Sequence, residues 1–349
     1  MKETSSQDTV RMHTRLAGMN AAKKKNRKIV YPYTLKTALA DYTRDELKEI
    51  GDSLHIEIKS ADKKQERIDK IYTGITENNR IERCLLCMSD EEWNLLKDLV
   101  SYEKACPLHT DTSLPALAIS QYLGYDEEGY IIIPQEIKEG FQAAQCDEFL
   151  LRRKKMQWLQ HCLDMANNLY GAMPFHVLVE LYNQHKTFQS NALEIGSMMQ
   201  LVPQEMQTYF LQDDLVCDIL MTKENVNCLL RDRVLDVYYI PSQQEIENEA
   251  AGNIIYFNPQ MVKQGMAKLY KYTSLSKNQT LDIMSDMIDE MASGWSPDDI
   301  IEDLSMKQIS VRKGEKKRLQ ELFAEWNYYT KKWINCGYSD EEIERFNIH

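Results

Sequence analysis

Residues 313–346, KGEKKRLQELFAEWNYYTKKWINCGYSDEEIERF, decide the fold class. Leu319, Leu322, Phe323, Trp326, Tyr329, Trp333 and Ile334 recur three and four positions apart. That spacing lines one face of a helix over several turns. Gly337 is placed to end the helix, because glycine enters the left-handed position after a helix at little steric cost. Ser339 and Glu342 then cap the next helix reciprocally. A stripe of this kind packs a core or a dimer contact first. Trp326, Tyr329 and Trp333 are also its candidate interaction residues, since aromatic rings stack on partners or on bases.

The helical reading extends through most of the chain. Residues 231–312 give a run of helices around NPQMVKQGMAKLYKY, LDIMSDMIDEMASG and SPDDIIEDL, the last with Pro297 in its first turn. Ser242 with Glu245, Ser89 with Glu92 and Thr43 with Glu46 are further capping boxes. Residues 80–144 read as helix, helix, a short strand at YIIIP, and helix. Residues 171–230 loosely repeat this order, with a hairpin-like stretch TYFLQDDLVCDILM. Helices followed by a strand pair is the order of a winged helix-turn-helix. Only 13 glycines and 9 prolines in 349 residues disfavour a turn-rich β fold. The expected architecture is therefore mainly α: a multi-module helical protein with small winged-helix-like β elements. Its divisions are a basic, disordered arm (1–30), a helix-loop-helix (34–75), two winged-helix-like modules (80–144 and 145–235) and a C-terminal helical region (236–349).

Charge is distributed unevenly. The formal net charge is −12, yet residues 1–80 carry 17 Lys/Arg against 12 Asp/Glu, and the remainder carries 25 against 42. Phosphates repel an acidic surface, so any nucleic-acid contact belongs near the N-terminus. The basic run Lys23, Lys24, Lys25, Arg27 and Lys28 is one candidate. The wing acids Asp126, Glu127, Glu128, Asp213 and Asp214 argue against DNA reading by the winged modules. No run of apolar residues approaches the ~18 of a membrane span, so no membrane partner is expected. Eight cysteines in a chain of this length do not form a disulfide framework, which points to a reducing cytoplasm.

Within residues 34–75, YTRDELKEIG and IEIKSADKKQERIDKI resemble the Rho N-terminal and SAP-like helix-loop-helix modules. The pattern departs from them at Gln65 and Arg67. The resemblance implies nucleic-acid contact or docking through Lys59, Lys63, Lys64, Arg67 and Lys70. Over most of residues 34–343 the chain also resembles an uncharacterised family of Gram-positive bacteria and their mobile elements. The shared steps are Tyr238, Tyr239, Ile240, Pro241 and Glu245, then Thr330, Lys331, Trp333, Asn335, Gly337, Ser339 and Glu342. Lys331 stands where that family usually has arginine. The Cys-rich SEC-C zinc knuckle found in some members is absent from this sequence. This second resemblance implies architecture more than activity.

Candidate chemistry is sparse. Cys84-x-x-Cys87 and Cys106-x-x-His109 have zinc-ribbon spacing, but the first pair sits in an apolar helical stretch, where cysteine behaves as a small hydrophobe. Gly51-Asp52-Ser53-Leu54 spells a hydrolase signature in the wrong context, after a helix instead of a strand, and Gly51 is expected to stop that helix. There is no P-loop, G-x-G-x-x-G, H-E-x-x-H or G-x-S-x-G. No catalytic residue and no cofactor are expected, zinc at the Cys/His set being the only metal considered. The expected function is that of a nucleic-acid-associated accessory regulator without catalytic activity. The alternative is a protein-interaction factor or inhibitor, phage- or mobile-element-encoded, whose acidic surface binds a basic partner.

Overall fold

A computed structural model of the chain describes residues 31–103, 124–125, 131–252 and 259–348. It is mainly helical, with two small antiparallel sheets. The chain forms two compact units: residues 1–157 with 196–207, and residues 158–195 with 208–349.

In the first unit, α1 (Leu35–Ala40), α2 (Arg44–Ser53) and α3 (Lys64–Thr76) pack through Leu35, Leu39, Leu47, Ile50, Ile68, Ile71 and Ile75, all buried. The capping box that opens α2 is present: Thr43 N donates to Glu46 Oε2 at 2.6 Å and Glu46 N to Thr43 Oγ1 at 3.3 Å. Gly51 does not end this helix. It lies inside it, and an added Cβ would sit 2.4 Å from Ile58 Cγ1. Its role is close approach, and the left-handed position falls at His55, with φ of 55°. Ser53 Oγ donates to Ile50 O at 2.9 Å as an ordinary helix-end hydroxyl.

α4 (Arg80–Leu86) and α5 (Asp90–Val100) are separated at the Ser89 cap, whose box with Glu92 is complete. β1 (Gly124–Tyr125) pairs with β2 (Ile131–Ile132), and α6 (Gln135–Ala143) follows. Trp93 anchors this part against Phe141 and Phe149, at centroid distances of 4.7 and 5.9 Å. The expected helix at SLPALAISQYLGY lies outside the described residues, apart from Gly124 and Tyr125.

The boundary between units falls inside α7 (Asp147–Tyr170) and again inside α9 (Ala192–Leu201). Along the chain, α7 is followed by β3 (Ala172–Pro174), α8 (Phe175–Tyr182), α9, β4 (Tyr209–Gln212) and β5 (Leu215–Asp218). The sheet runs in the order β3-β5-β4, all antiparallel, with Met173 opposite Val216 and Leu211 opposite Val216 on the other side. Helix, strand, helix, helix, hairpin is the order of a winged helix. The hairpin turn is Asp213-Asp214, with Asp213 at φ of 55°. α9 carries no Lys or Arg.

The second unit continues with α10 (Lys223–Asp232), α11 (Gln243–Ala250), α12 (Pro259–Tyr272), α13 (Lys277–Ala292), α14 (Pro297–Met306), α15 (Lys316–Tyr329) and α16 (Asp340–Phe346). α12 to α15 pack on one another through residues that include Leu269, Met284, Ile288, Ile300, Leu304, Leu322, Phe323 and Trp326. The helix expected to continue to Gly337 stops at Tyr329. Thr330 turns extended and its Oγ1 donates to Trp326 O at 2.8 Å. Trp333 then starts a short 3₁₀ turn, Trp333–Asn335, and packs elsewhere. Gly337, with φ of 85°, occupies the left-handed region as expected, but after that turn.

Candidate functional site

The basic residues of the front helices are mostly occupied. Arg67, a candidate phosphate contact, is 3% exposed. Its Nε donates to Asp62 O (3.1 Å), Nη1 to Arg44 O (2.5 Å), and Nη2 to Ser60 O (3.0 Å) and Lys59 O (3.4 Å). That assignment is corrected: the guanidinium closes the loop between α2 and α3 and faces no solvent. Lys64 Nζ donates to Ala40 O at 2.7 Å, and Lys70 pairs with Asp62 at 2.6 Å. The hydrogen bond from Lys70, more than any other contact, holds the Asp62 carboxyl below its usual range. Lys59 and Lys63 remain exposed. Residues 31–80 hold nine Lys/Arg and ten Asp/Glu, so the positive excess of the front of the chain belongs to residues 1–30, with eight against two. Lys23, Lys24, Lys25, Arg27 and Lys28 lie outside the described residues.

Cys84 and Cys87 are buried at 0% and 3% exposure, and Cys84 Sγ lies 3.4 Å from Met206 Sδ. Burial pushes the Cys87 thiol far up, which disfavours the thiolate a metal needs. Cys106 and His109 lie outside the described residues, among which no three His, Cys, Asp or Glu side chains gather to hold a metal. His185 is held in a turn: its Nδ1 accepts from Thr187 N and Phe188 N, and its ring packs on Phe188 and Trp158.

The aromatic stripe is also corrected. Trp326 is 1% exposed and lies on Gly265, where a Cβ would come within 2.5 Å of its ring. Trp333 covers Gly171, with φ of 62°, and donates from Nε1 to Asn168 O at 2.9 Å. Both rings face inward because glycine leaves a seat for each. Tyr329, at 38% exposure, is the member left at the surface.

The two spaced motifs meet in one clasp. Lys331 Nζ sits 3.4 Å above the Tyr239 ring and 2.7 and 2.8 Å from the Glu342 oxygens. Tyr239 OH donates to Glu245, whose other oxygen accepts from Ser242 N and Oγ. Asn335 Nδ2 donates to Asp340 at 2.8 Å, and Ser339 N to Glu342 at 2.8 Å. Gly337 presses on Tyr170, where a Cβ would come within 2.7 Å of the ring. Tyr170 OH donates to Tyr239 O. Arg233 completes the clasp by donating to Tyr238 OH and to the carbonyls of Tyr170, Ala172 and Trp333. Polar partners are matched throughout this cluster, so its chemistry is structural.

A different part of the second unit carries unbalanced charge. Asp164, Asp218, Glu249 and Asp289 come from α7, β5, α11 and α13. Among the described residues none pairs with a Lys or Arg. Their contacts are neutral: Asn168 Nδ2 to Glu249 at 2.6 Å, Leu220 N to Asp218 at 2.7 Å, and Thr208 Oγ1 to Asp164 at 3.5 Å. Asp164 and Asp289 stay open to water, yet protein crowds around them. Loss of water around its carboxyl, exposed as the residue is, pushes Asp164 up to about 6, opposed by Thr208 and helped by Asp218. The same loss of water, in an exposed residue, pushes Asp289 up to about 7, helped by Glu249, Asp286 and Glu290. Glu290 itself is paired with Lys307 at 3.1 Å. The four acids are scattered over 126 positions of sequence with no shared motif, so no local signal pointed to them.

These carboxyls set a pH dependence. A folded-state pKa raised above the unfolded one means that the folded chain holds protons the unfolded chain has released. Stability then falls as pH rises from near 4 to about 7. The melting temperature should therefore be higher at pH 5.5 than at pH 7.5. Asp289→Asn should flatten that difference; a slope untouched by this change would place its origin in other groups.

Comparison with known protein families, with curated proteins and with solved structures finds no match.

Proposed function

We propose that this is a non-catalytic binding protein whose second unit presents an acidic surface to a basic partner protein. The observation that carries the reading is the uncompensated charge of that unit. Residues 158–195 and 208–349 hold 17 Lys/Arg against 27 Asp/Glu. Four of those acids, on four elements, lack a cation among the described residues. Like charges that raise one another's pKa are relieved when an opposite charge arrives, which gives a basic partner both steering and affinity.

The test is affinity capture from nuclease-treated lysate, comparing the wild type with Asp164→Asn/Asp218→Asn/Glu249→Gln/Asp289→Asn. The wild type should retain a basic protein that salt releases, and the variant should lose it. Capture that survives the four changes, or that disappears on nuclease treatment, rejects the proposal. A second reading, nucleic-acid association, is favoured by the charge of residues 1–30 alone. It requires that removing those residues abolish a gel shift that Lys63→Glu leaves intact.

A further inference from the structure

The first unit contains a polar cavity of about 210 Å³, lined by Leu54, His55, Arg80, Arg83, Pro203 and Gln204. Its lining belongs to the first unit alone, and it owes nothing to the reading above. Two guanidinium groups share this small space, and each is fixed in position. Arg83 Nε donates to Leu201 O at 2.8 Å, and its Nη2 to Gln200 O (3.2 Å) and Val202 O (3.4 Å). Those carbonyls are the unsatisfied C-terminal end of α9, where a cation is favoured. Arg80 Nη2 donates to Leu54 O at 3.1 Å and lies 2.7 Å from Glu205 Oε1.

Helix capping explains the placement of Arg83, but it does not use all of either side chain. Neither Nη1 has a partner among the described residues, and neither is sealed from solvent. Glu205 offsets the charge of Arg80 as an ion pair, its side chain being 3% exposed and neither of its oxygens having a hydrogen-bond partner among the described residues. No carboxylate pairs with Arg83 among the described residues. His55 adds a third nitrogen-bearing side chain from the loop after α2.

We propose that Arg80, Arg83 and His55 form a binding pocket for a small phosphate-class oxyanion. Three donors that converge on one volume, two guanidinium groups from the first turn of α4 and His55 from the loop after α2, suit a tetrahedral anion better than a planar carboxylate, which one guanidinium fork would satisfy. The volume admits a phosphate with a small substituent and excludes a nucleic-acid strand. The ligand is therefore a free phosphate or a small phosphomonoester. Binding neutralises Arg83 and fills the donor positions that Arg80 leaves open.

The experiment is isothermal titration of the full chain with inorganic phosphate, with glycerol phosphate and with acetate. Phosphate should bind saturably, and acetate at least about tenfold more weakly. Arg83→Gln should weaken phosphate by about tenfold or more. Glu205→Gln, which frees Arg80 from its counter-charge, should tighten it by several-fold. If Arg83→Gln fails to fold, His55→Asn keeps the test open, because among the described residues no hydrogen bond of the His55 side chain ties it to the helix end and asparagine tolerates the left-handed backbone there; it should weaken binding at least about threefold. Preference for glycerol phosphate identifies an organic phosphate as the ligand, and equal affinity identifies free phosphate; both support the pocket. No saturable phosphate binding, acetate binding as tight as phosphate, or affinity unmoved by Glu205→Gln and by the weakening variant would overturn it.

Discussion

Arg67→Ala should unfold the front helical module. The side chain is 3% exposed and its guanidinium satisfies four backbone carbonyls, those of Arg44, Lys59, Ser60 and Asp62. Three of these lie in the loop between α2 and α3, which has no sheet or helix to pair with. Arg44 adds only two bonds there, from Nη2 to Ser60 O and Asp62 O. A hydrogen bond from a charged donor contributes about 1.5–3 kcal/mol net, and a buried acceptor left empty costs about 1–3 kcal/mol. Losing the whole set should cost about 3–5 kcal/mol, a large part of the ~5–15 kcal/mol that holds a typical domain. Hydrogen exchange at Ile68 and Ile71 should lose most of its protection. Arg67→Lys should fail nearly as badly, since one ammonium cannot span the positions that the planar fork reaches. The control is Lys63→Ala, at an exposed position, expected to stay within about 0.5 kcal/mol of wild type. An Arg67→Ala protein with wild-type exchange would show that the loop is held by something else.

The second large effect belongs to the clasp. Lys331→Ala removes an ammonium that is 7% exposed, binds both oxygens of Glu342 and lies over the Tyr239 ring. Burial holds this ammonium below the usual lysine range despite Glu342 and Glu245 nearby, so the pair does not fully recover the cost of leaving water. A pair of that kind adds little over an apolar replacement of both partners, yet removing one member alone strands the other charge and costs about 3–5 kcal/mol. The expected pattern is a large loss in Lys331→Met, a comparable loss in Glu342→Gln, and partial recovery in the double variant. A coupling energy of about 1 kcal/mol or more in a denaturant-based double-mutant cycle checks it. Additive losses would mean that the two side chains act separately.

The legible parts of the fold share one property: their causes are local. Thr43 with Glu46, Ser89 with Glu92, Ser242 with Glu245 and Ser339 with Glu342 each close within four residues, and all four boxes form. The hairpin after α9 was visible because two apolar runs flank Asp213-Asp214. The misread positions have distant causes. Gly51 looked like a helix stop, but its constraint is the approach of Ile58 from the following loop. Trp333 continued a helical period, but Gly171, far back in the chain, gives it a better seat. Arg67 had the spacing of a phosphate contact, and only the folded loop shows four carbonyls turned toward it. The candidate surfaces were harder still. Total charge was readable, yet which acids lack a counter-ion depends on where Lys307, Lys331 and Lys332 are already committed.

The clasp also bears on how the chain is made. Gly171 and Tyr170, beside the first strand of the three-stranded sheet, are covered by Trp333 and Gly337. A ribosome adding roughly 5–20 residues per second needs about 8–30 s to travel between those positions. Through that interval the nascent sheet carries a naked aromatic seat, open to chaperones and proteases, until the segment that seals it emerges.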